Sequence, residues 1–333
     1  MFNEIILPVI LFVVGLVALI KGGDWFVDGA TGIAHRFHIP ELLIGATVVS
    51  IGTTLPEVMV SATSAFTGHG EIAYGNAIGS IICNTSLIAA ITVAIRPAKV
   101  EKKSLVLPVI FFFFSAAAYS AVAYFMGEFT TLVGVGLLAV FVCYMATLIL
   151  QAKKSMSVAT CDGGACAQDG EAEEKSSPML KDIIFLVIGA ALIAVGARLL
   201  VDNGTIIAKY FGVPESVIAL TFVALGTSLP ELVTAITSLI KGHGALSLGN
   251  IIGANIFNLV LVSGVSITIS PFPLPAGTEI MGHNASLVMD IPLMMGVMAL
   301  LTLPALLKGK LYRWQGILLL GIYAAFCVVQ FSL

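Results

Sequence analysis

Two six-residue segments place a glutamate inside otherwise apolar runs of the chain. They read Gly-Thr-Thr-Leu-Pro-Glu at 52–57 and Gly-Thr-Ser-Leu-Pro-Glu at 226–231. A carboxylate at bilayer depth has to face a partner, an ion or water, so it indicates a functional site. Because Glu57 and Glu231 occur in matching contexts, we expect both carboxylates to contribute to one ion-binding site.

The proline of each segment suggests where further oxygen ligands come from. Proline inside a helix has no N–H for the carbonyl four residues earlier, which here belongs to Gly52 or Gly226. Freed carbonyls at bilayer depth are tolerated where they are buried in protein or line a cavity. A packed, kinked helix whose hydroxyls bond their own backbone is the structural alternative. The side chains that share a helical face are Thr53, Thr54 and Glu57, and in the second segment Thr227, Ser228 and Glu231.

The next apolar run in each half adds amides and small residues. The first half has Asn76, Ser80 and Asn84, and the second has Asn250, Ala254 and Asn258 at the same spacing. Hydrogen bonding between helices is the alternative role for these amides, above all for Asn76 and Asn250.

The ligand type follows from the donor atoms. All of them are hard oxygens, which favour sodium, calcium or magnesium over zinc, copper or iron. Calcium accepts six to eight oxygens in a flexible shell, whereas magnesium demands a tight octahedron. Two glutamates balance one divalent cation. Sodium in parts of the same cage would compete with calcium, and such competition is the basis of exchange.

The composition indicates that these side chains lie in a membrane protein. The chain is 58% hydrophobic and 11% charged, with a mean hydropathy of +1.05. Its apolar runs are continuous and do not alternate, so they predict membrane-spanning helices and not barrel strands. We therefore expect an all-α integral membrane protein in contact with the lipid bilayer. A net charge of -3 without a basic stripe argues against nucleic acid. No cofactor and no obligatory protein partner is evident.

The runs divide into two halves of five spans. A polar stretch at 152–179 separates a first half at 1–151 from a second at 180–333. It contains Cys161 and Cys166, whose spacing lacks the second ligand pair of a zinc site, so reduced thiols are the preferred interpretation. The predicted spans are 5–31, 41–66, 71–95, 105–126, 129–151, 180–203, 215–240, 245–268, 286–307 and 313–332.

The two halves are related at an offset of 174 residues. The matches involve Gly, Pro, Glu and Asn in register, which chance similarity between apolar helices would not produce. Five spans per half place the second copy in the membrane upside down, an inverted repeat with its site near the midplane. Most loops rich in Lys and Arg then share one side, which predicts a cytosolic linker and both termini outside. Only Arg198 and Lys209 fall on the opposite side.

At these residues the chain resembles the cation/calcium exchanger superfamily, nearest the prokaryotic sodium/calcium exchangers. The two alpha-repeats of that family correspond to 45–84 and 219–258. The resemblance implies ten transmembrane helices in the sodium/calcium exchanger fold, in a prokaryotic inner membrane. It also implies antiport of calcium against sodium by alternating access, with spans 1 and 6 sliding across a core of spans 2, 3, 7 and 8.

The resemblance assigns roles residue by residue. It makes Glu57 and Glu231 the central calcium ligands, with Asn84 and Asn258 closing the centre. The residues that would contribute backbone carbonyls are Thr53, Thr227, Ser50 and Ala224. Those that would contribute hydroxyls to sodium are Thr54, Ser80 and Ser228.

This sequence departs from the family pattern at three positions. Many family members have an acidic residue at the place of Asn84 or Asn258, and Ala254 lacks the hydroxyl usual at its position. These changes leave the ion stoichiometry open.

Three other functions remain as alternatives. The same scaffold can exchange calcium for protons, because a buried glutamate near the midplane can also carry a proton. A cation channel fits inverted repeats with broken helices less well than an alternating-access carrier does. An intramembrane hydrolase lacks a positioned nucleophile and a histidine cluster. We therefore expect a transporter and not an enzyme.

Overall fold

The computed structural model describes residues 5–97, 99–162, 179–211, 226–276 and 279–332 of the chain. Within these ranges nine helices are long and apolar enough to cross a membrane, and one shorter helix is apolar as well. The predicted all-helical membrane class is confirmed. In chain order the helices are α1 (Leu7–Arg36), α2 (Glu41–Phe66), α3 (Gly70–Ile95), α4 (Lys102–Phe125), α5 (Thr131–Asp162), α6 (Met179–Tyr210), α7 (Leu229–Ile240), α8 (Gly244–Ile269), α9 (Ser286–Lys308) and α10 (Arg313–Ser332).

Two elements differ from the bounds expected from the sequence. Helix α5 continues to Asp162, eleven residues into the segment predicted as a linker. The continuation has a local reason, since no Gly or Pro occurs at 152–162 to interrupt the helix, and residues 163–178 lie outside the described part. In the seventh span, residues 215–225 lie outside the described residues, and the described helix begins at Leu229. Cys166 and the side chain of Cys161 are also outside the described part.

Helices α1 and α6 pack along a seam of glycines. A Cβ atom at Gly22 would lie 2.9 Å from the carbonyl oxygen of Gly189, and one at Gly15 would lie 2.9 Å from that of Gly196. The partners are reciprocal, because Gly189 and Gly196 would meet the backbone of α1 in the same way. Small residues at such spacing let two membrane helices approach closely. Arg36 of α1 adds an ion pair to Asp182 of α6 at 3.4 Å.

Helices α3 and α8 are the most buried of the described spans. Each is an α-helix that widens into a π-helical turn, and the bounds agree at the offset of 174 except that the second π-helical turn is one residue shorter. The α-helical parts are Gly70–Cys83 and Gly244–Phe257, and the π-helical turns are Asn84–Ala89 and Asn258–Val262. The two regions that the sequence relates therefore share one local geometry.

Short strands tie the ends of the helices together. Strand β1 (Glu128–Phe129) pairs antiparallel with β2 (Phe272–Pro273), which joins the α4–α5 connection to the segment after α8. Strands β3 (Glu279–Ile280) and β4 (His283–Asn284) form a small hairpin before α9. A bridge between Lys99 and Lys310 brings the α3–α4 and α9–α10 connections to the same end of the bundle.

Candidate ion-binding site

The two glutamate segments have different backbone conformations. In α2 the segment is continuous α-helix through Pro56, and the irregular turn lies earlier, as a π-helix over Gly45–Val49. The helix is therefore unbroken at Gly52, although Pro56 has no N–H to donate to the carbonyl of Gly52. Glycine is needed there for another reason, since a Cβ atom would lie 2.9 Å from Cζ of Phe26 in α1.

The second segment does have the expected discontinuity. Residues 226–228 form a turn, and α7 begins at Leu229 with Pro230 in its first turn, where the absence of an N–H costs little. Ser228 has non-helical backbone angles, with φ -88° and ψ 3°. The side chain of Glu231 thus projects from the first turn of a helix, where a cluster of free amides favours negative charge.

The carboxylates of Glu57 and Glu231 are both completely buried, with 0% of each residue exposed. They are close enough to interact electrostatically. Thr54 Oγ1 donates to Glu231 Oε1 at 3.4 Å. Both oxygens of Glu57 and Oε2 of Glu231 have no hydrogen-bond partner within the described ranges. Buried carboxylates without partners are costly, so the arrangement suits a bound cation.

Two further amides lie where the helices widen. Asn84 and Asn258 each open a π-helical turn and are 0% exposed. Neither their Oδ1 nor their Nδ2 atoms have a partner among the described residues, and the same holds for Ser228 Oγ. Single π-helical turns inside α-helices occur frequently at functional sites. Like three of the four glutamate oxygens, these amide atoms have no hydrogen-bond partner among the described residues.

Some of the remaining predicted residues contact α8, others are buried on α3 and α8, and one lies outside the described residues. Ser50 and Thr53 of α2 bond to α8 directly: Ser50 Oγ donates to the carbonyl of Asn250 at 2.9 Å, and Thr53 Oγ1 donates to its Oδ1 at 3.2 Å. Ser80 and Ala254 are buried at equivalent positions of α3 and α8. Ala224 lies outside the described residues.

From the sequence, Asn76 and Asn250 were candidate oxygen donors, with hydrogen bonding between helices as the alternative, and in the structure both make hydrogen bonds to the opposite half. Thr227 Oγ1 donates to Asn76 Oδ1 at 3.3 Å, and Thr53 makes the corresponding bond to Asn250. Each amide therefore contacts the ion-binding segment of the other half. The sequence marks these two amides as a pair, because they occupy equivalent positions at the offset of 174. Two unrelated structural amides would not need to be equivalent.

The chain matches known proteins over nearly its whole length. The family model for sodium/calcium exchanger protein matches residues 7–150 and 181–332. Inner membrane protein YrbG of Escherichia coli is 36% identical over 80% of this chain and 81% of its own. Sodium/calcium exchanger MaX1 of Methanosarcina acetivorans is 30% identical over 97% of this chain and 98% of its own.

A solved structure shows the same fold. The sodium-calcium exchanger NCX_Mj, soaked with Na⁺ and Sr²⁺, superposes with a TM-score of 0.78 at 32% identity, covering 97% of this chain and 98% of that one. Sequence, fold and the matched family model agree, and the chain belongs to the sodium/calcium exchanger family.

Proposed function

We propose that this chain is a secondary active antiporter that exchanges calcium for sodium, with the cations bound between Glu57 and Glu231. The observation that carries the proposal is the pair of fully buried carboxylates, one from each half, with three unpartnered oxygens in the described structure. Two carboxylates balance one Ca²⁺ or two Na⁺. Either cargo then neutralises the site, and one displaces the other.

The proposed ligand set combines the side-chain and backbone oxygens around these carboxylates. Glu57 and Glu231 are central, and the amides of Asn84 and Asn258 face the same cargo. The further ligands are the hydroxyls of Thr54, Ser80 and Ser228, and the backbone carbonyls of Ser50, Thr53, Ala224 and Thr227. Ala254 offers no hydroxyl, so α8 contributes fewer oxygens than α3.

We propose alternating access through movement of α1 and α6 against a core of α2, α3, α7 and α8. The glycine seam joins α1 to α6 closely, which favours their moving as one body. Hydrogen bonds across the motifs join the core helices to one another. Inverted repeats at 1–151 and 180–333, separated by a linker at 152–179, supply the two related conformations that such a mechanism needs.

We propose a prokaryotic inner membrane location with both termini outside. Lys99 and Lys310 lie together at one end of the bundle, and positively charged loops favour the cytosolic side. An impermeant maleimide applied to intact cells tests this orientation with a single cysteine in place of Lys310 or of Gly282. We expect labelling at position 282 only. Labelling at position 310 would reverse the assigned orientation.

The decisive experiment is calcium-45 uptake into proteoliposomes. Vesicles are loaded with sodium, potassium or choline, and a fourth set carries an outward proton gradient. We expect uptake only with internal sodium, and its loss to background in Glu57→Gln and Glu231→Gln. Glu71→Gln, the same change at an exposed position of α3, is the matched control and should transport normally.

The same assay decides between the alternatives. If calcium uptake is driven by the proton gradient and needs no sodium, the protein exchanges calcium for protons and not for sodium. Uptake down the calcium gradient in choline vesicles, together with single-channel steps, would indicate a channel. Normal uptake by both glutamine variants would remove the carboxylate pair from the mechanism.

A further inference from the structure

We propose that Asn76 and Asn250 are positioning residues that fix each ion-binding segment to the opposite half of the chain. The inference rests on the exchange function proposed above. It assigns a role to two amides that do not themselves bind the ion. Each of them holds a threonine hydroxyl, so that the backbone carbonyl of this threonine is presented to the cargo in one fixed orientation.

Asn76 of α3 makes contacts to both halves. Its Nδ2 donates to Ser61 Oγ at 2.8 Å and to the backbone carbonyl of Glu57 at 3.3 Å. Its Oδ1 accepts from Thr227 Oγ1 at 3.3 Å. A single amide therefore connects the helix that carries one glutamate to the turn that precedes the other. Backbone bonds from Leu229 to Gly226 and from Leu232 to Ser228 join the turn at 226–228 to α7. The contact with Asn76 adds a side-chain constraint from the other half of the chain.

Asn250 of α8 makes the equivalent threonine contact from the other side. Its Oδ1 accepts from Thr53 Oγ1 at 3.2 Å, and its backbone carbonyl accepts from Ser50 Oγ at 2.9 Å. Asn250 is completely buried. The two amides thus make reciprocal bonds, Asn76 to the second segment and Asn250 to the first.

These bonds have a consequence for ion binding. A threonine hydroxyl that donates to an amide has a fixed χ1 angle, and the adjacent backbone is fixed with it. Ligands held in place before the ion arrives bind it more tightly than ligands that must be ordered on binding. Loss of either amide should therefore weaken ion binding, whereas loss of an ordinary interhelical amide should only weaken the packing.

Asn255 provides the matched control. It lies on α8 with Asn250, is also completely buried, and donates to Thr85 Oγ1 at 2.7 Å and to Met298 Sδ at 3.2 Å. These partners lie outside the two glutamate segments. Asn255→Ala should lower thermal stability while leaving the half-saturating ion concentrations within about twofold of the original, since it breaks hydrogen bonds of ordinary strength away from the cargo.

The experiment compares Asn76→Ala, Thr227→Val and the double variant with Asn255→Ala and the unaltered protein. Sodium-driven calcium-45 uptake is measured over a range of calcium and of sodium, together with the melting temperature in detergent. We expect Thr227→Val to raise the half-saturating concentrations about fivefold, the effect of one lost hydrogen bond, and Asn76→Ala to raise them at least as much, because it also loses the bonds to Ser61 and Glu57. The double variant should be no worse than Asn76→Ala, because both changes remove the same contact. Thr227→Ser should recover most of what Thr227→Val loses.

The outcomes separate the two proposals. If Asn76→Ala behaves like Asn255→Ala, with lower stability and unchanged half-saturation, the positioning role is wrong while the exchange function stands. Additive effects in the double variant would overturn the positioning role as well. If the unaltered protein shows no sodium-driven uptake, the exchange function fails, and the positioning role fails with it. If Asn76→Ala does not fold, Thr227→Val still tests the positioning role, because this variant removes only one hydroxyl.

Discussion

Thr54 of α2 donates its hydroxyl to the carboxylate of Glu231 in α7 at 3.4 Å, so the first ion-binding segment contacts the acidic group of the second. Both side chains are buried, with 1% and 0% of the residue exposed. The hydrogen of this hydroxyl is directed to the carboxylate, and under the proposed function its oxygen would also be a ligand for sodium.

The first prediction removes this hydroxyl. Thr54→Val should raise the half-saturating sodium concentration more than that for calcium, because the hydroxyl is proposed to ligate sodium and only orients the calcium ligand. Loss of one such ligand should raise the half-saturating sodium concentration about tenfold. Uptake assays at varied sodium and varied calcium measure the two values. Thr47→Val, in the same helix, removes a hydroxyl that bonds carbonyls of its own helix, those of Leu43 and Ile44, and should change neither value. Equal shifts for both ions would contradict the assignment.

The second prediction concerns the missing hydroxyl of α8. Ala254 is buried at the position equivalent to Ser80, so Ala254→Ser offers the site one more oxygen. We expect the half-saturating sodium concentration to fall in this variant and to rise in Ser80→Ala, each by a few-fold, as one neutral ligand is gained or lost. Sodium titrations of calcium-45 uptake report both. A rise in Ala254→Ser would show that position 254 does not face the sodium ions.

Much of the fold follows from the sequence because a bilayer limits the choices. A long apolar run must be a helix in lipid, and this alone predicts the bounds of α2 and α10. Membership of the sodium/calcium exchanger family and the transporter class are likewise confirmed. Burial of Glu57 and Glu231 agrees with the expectation that a membrane carboxylate faces the bundle interior.

Other features depend on contacts that no local pattern contains. Gly52 lies at a close approach to Phe26 of α1, and this contact between two helices cannot be read from the residues around Gly52. The hydrogen bonds of Asn76 and Asn250 need helices from both halves, so spacing within one half leaves their role open. The helical residues after the fifth span were not predicted because polarity indicated a linker, whereas lysine and serine are compatible with a helix.

The third prediction follows from an asymmetry between the two positioning amides. Asn76 Nδ2 has Ser61 Oγ as an acceptor, but the equivalent position of the second half is Ala235, and Asn250 Nδ2 has no partner among the described residues. Ala235→Ser restores the acceptor. It should stabilise the protein by about 0.5–1.5 kcal/mol, the usual net value of a hydrogen bond. Thermal unfolding in detergent measures the change.

The matched control for this gain is Ala235→Ser in an Asn250→Ala background. There the new hydroxyl has no amide to accept from, and a buried hydroxyl without its partner should be neutral or destabilising. The same gain in both backgrounds would show that the serine acts elsewhere.

The last prediction compares the same substitution, glycine to alanine, at two positions where we expect opposite effects on thermal stability. At Gly22 a Cβ atom would lie 2.9 Å from the carbonyl oxygen of Gly189 in α6, so Gly22→Ala has to push α1 and α6 apart. Overpacking of this kind costs about 1–3 kcal/mol. At Gly136 of α5 nothing lies within 4 Å of the added atom, and alanine favours the helix over glycine by roughly 0.5–1 kcal/mol. Melting temperatures should therefore fall for Gly22→Ala and rise slightly for Gly136→Ala. If α1 and α6 move as one body, Gly22→Ala should also slow sodium-driven calcium uptake, and normal uptake would show that close contact between these helices is not needed for exchange.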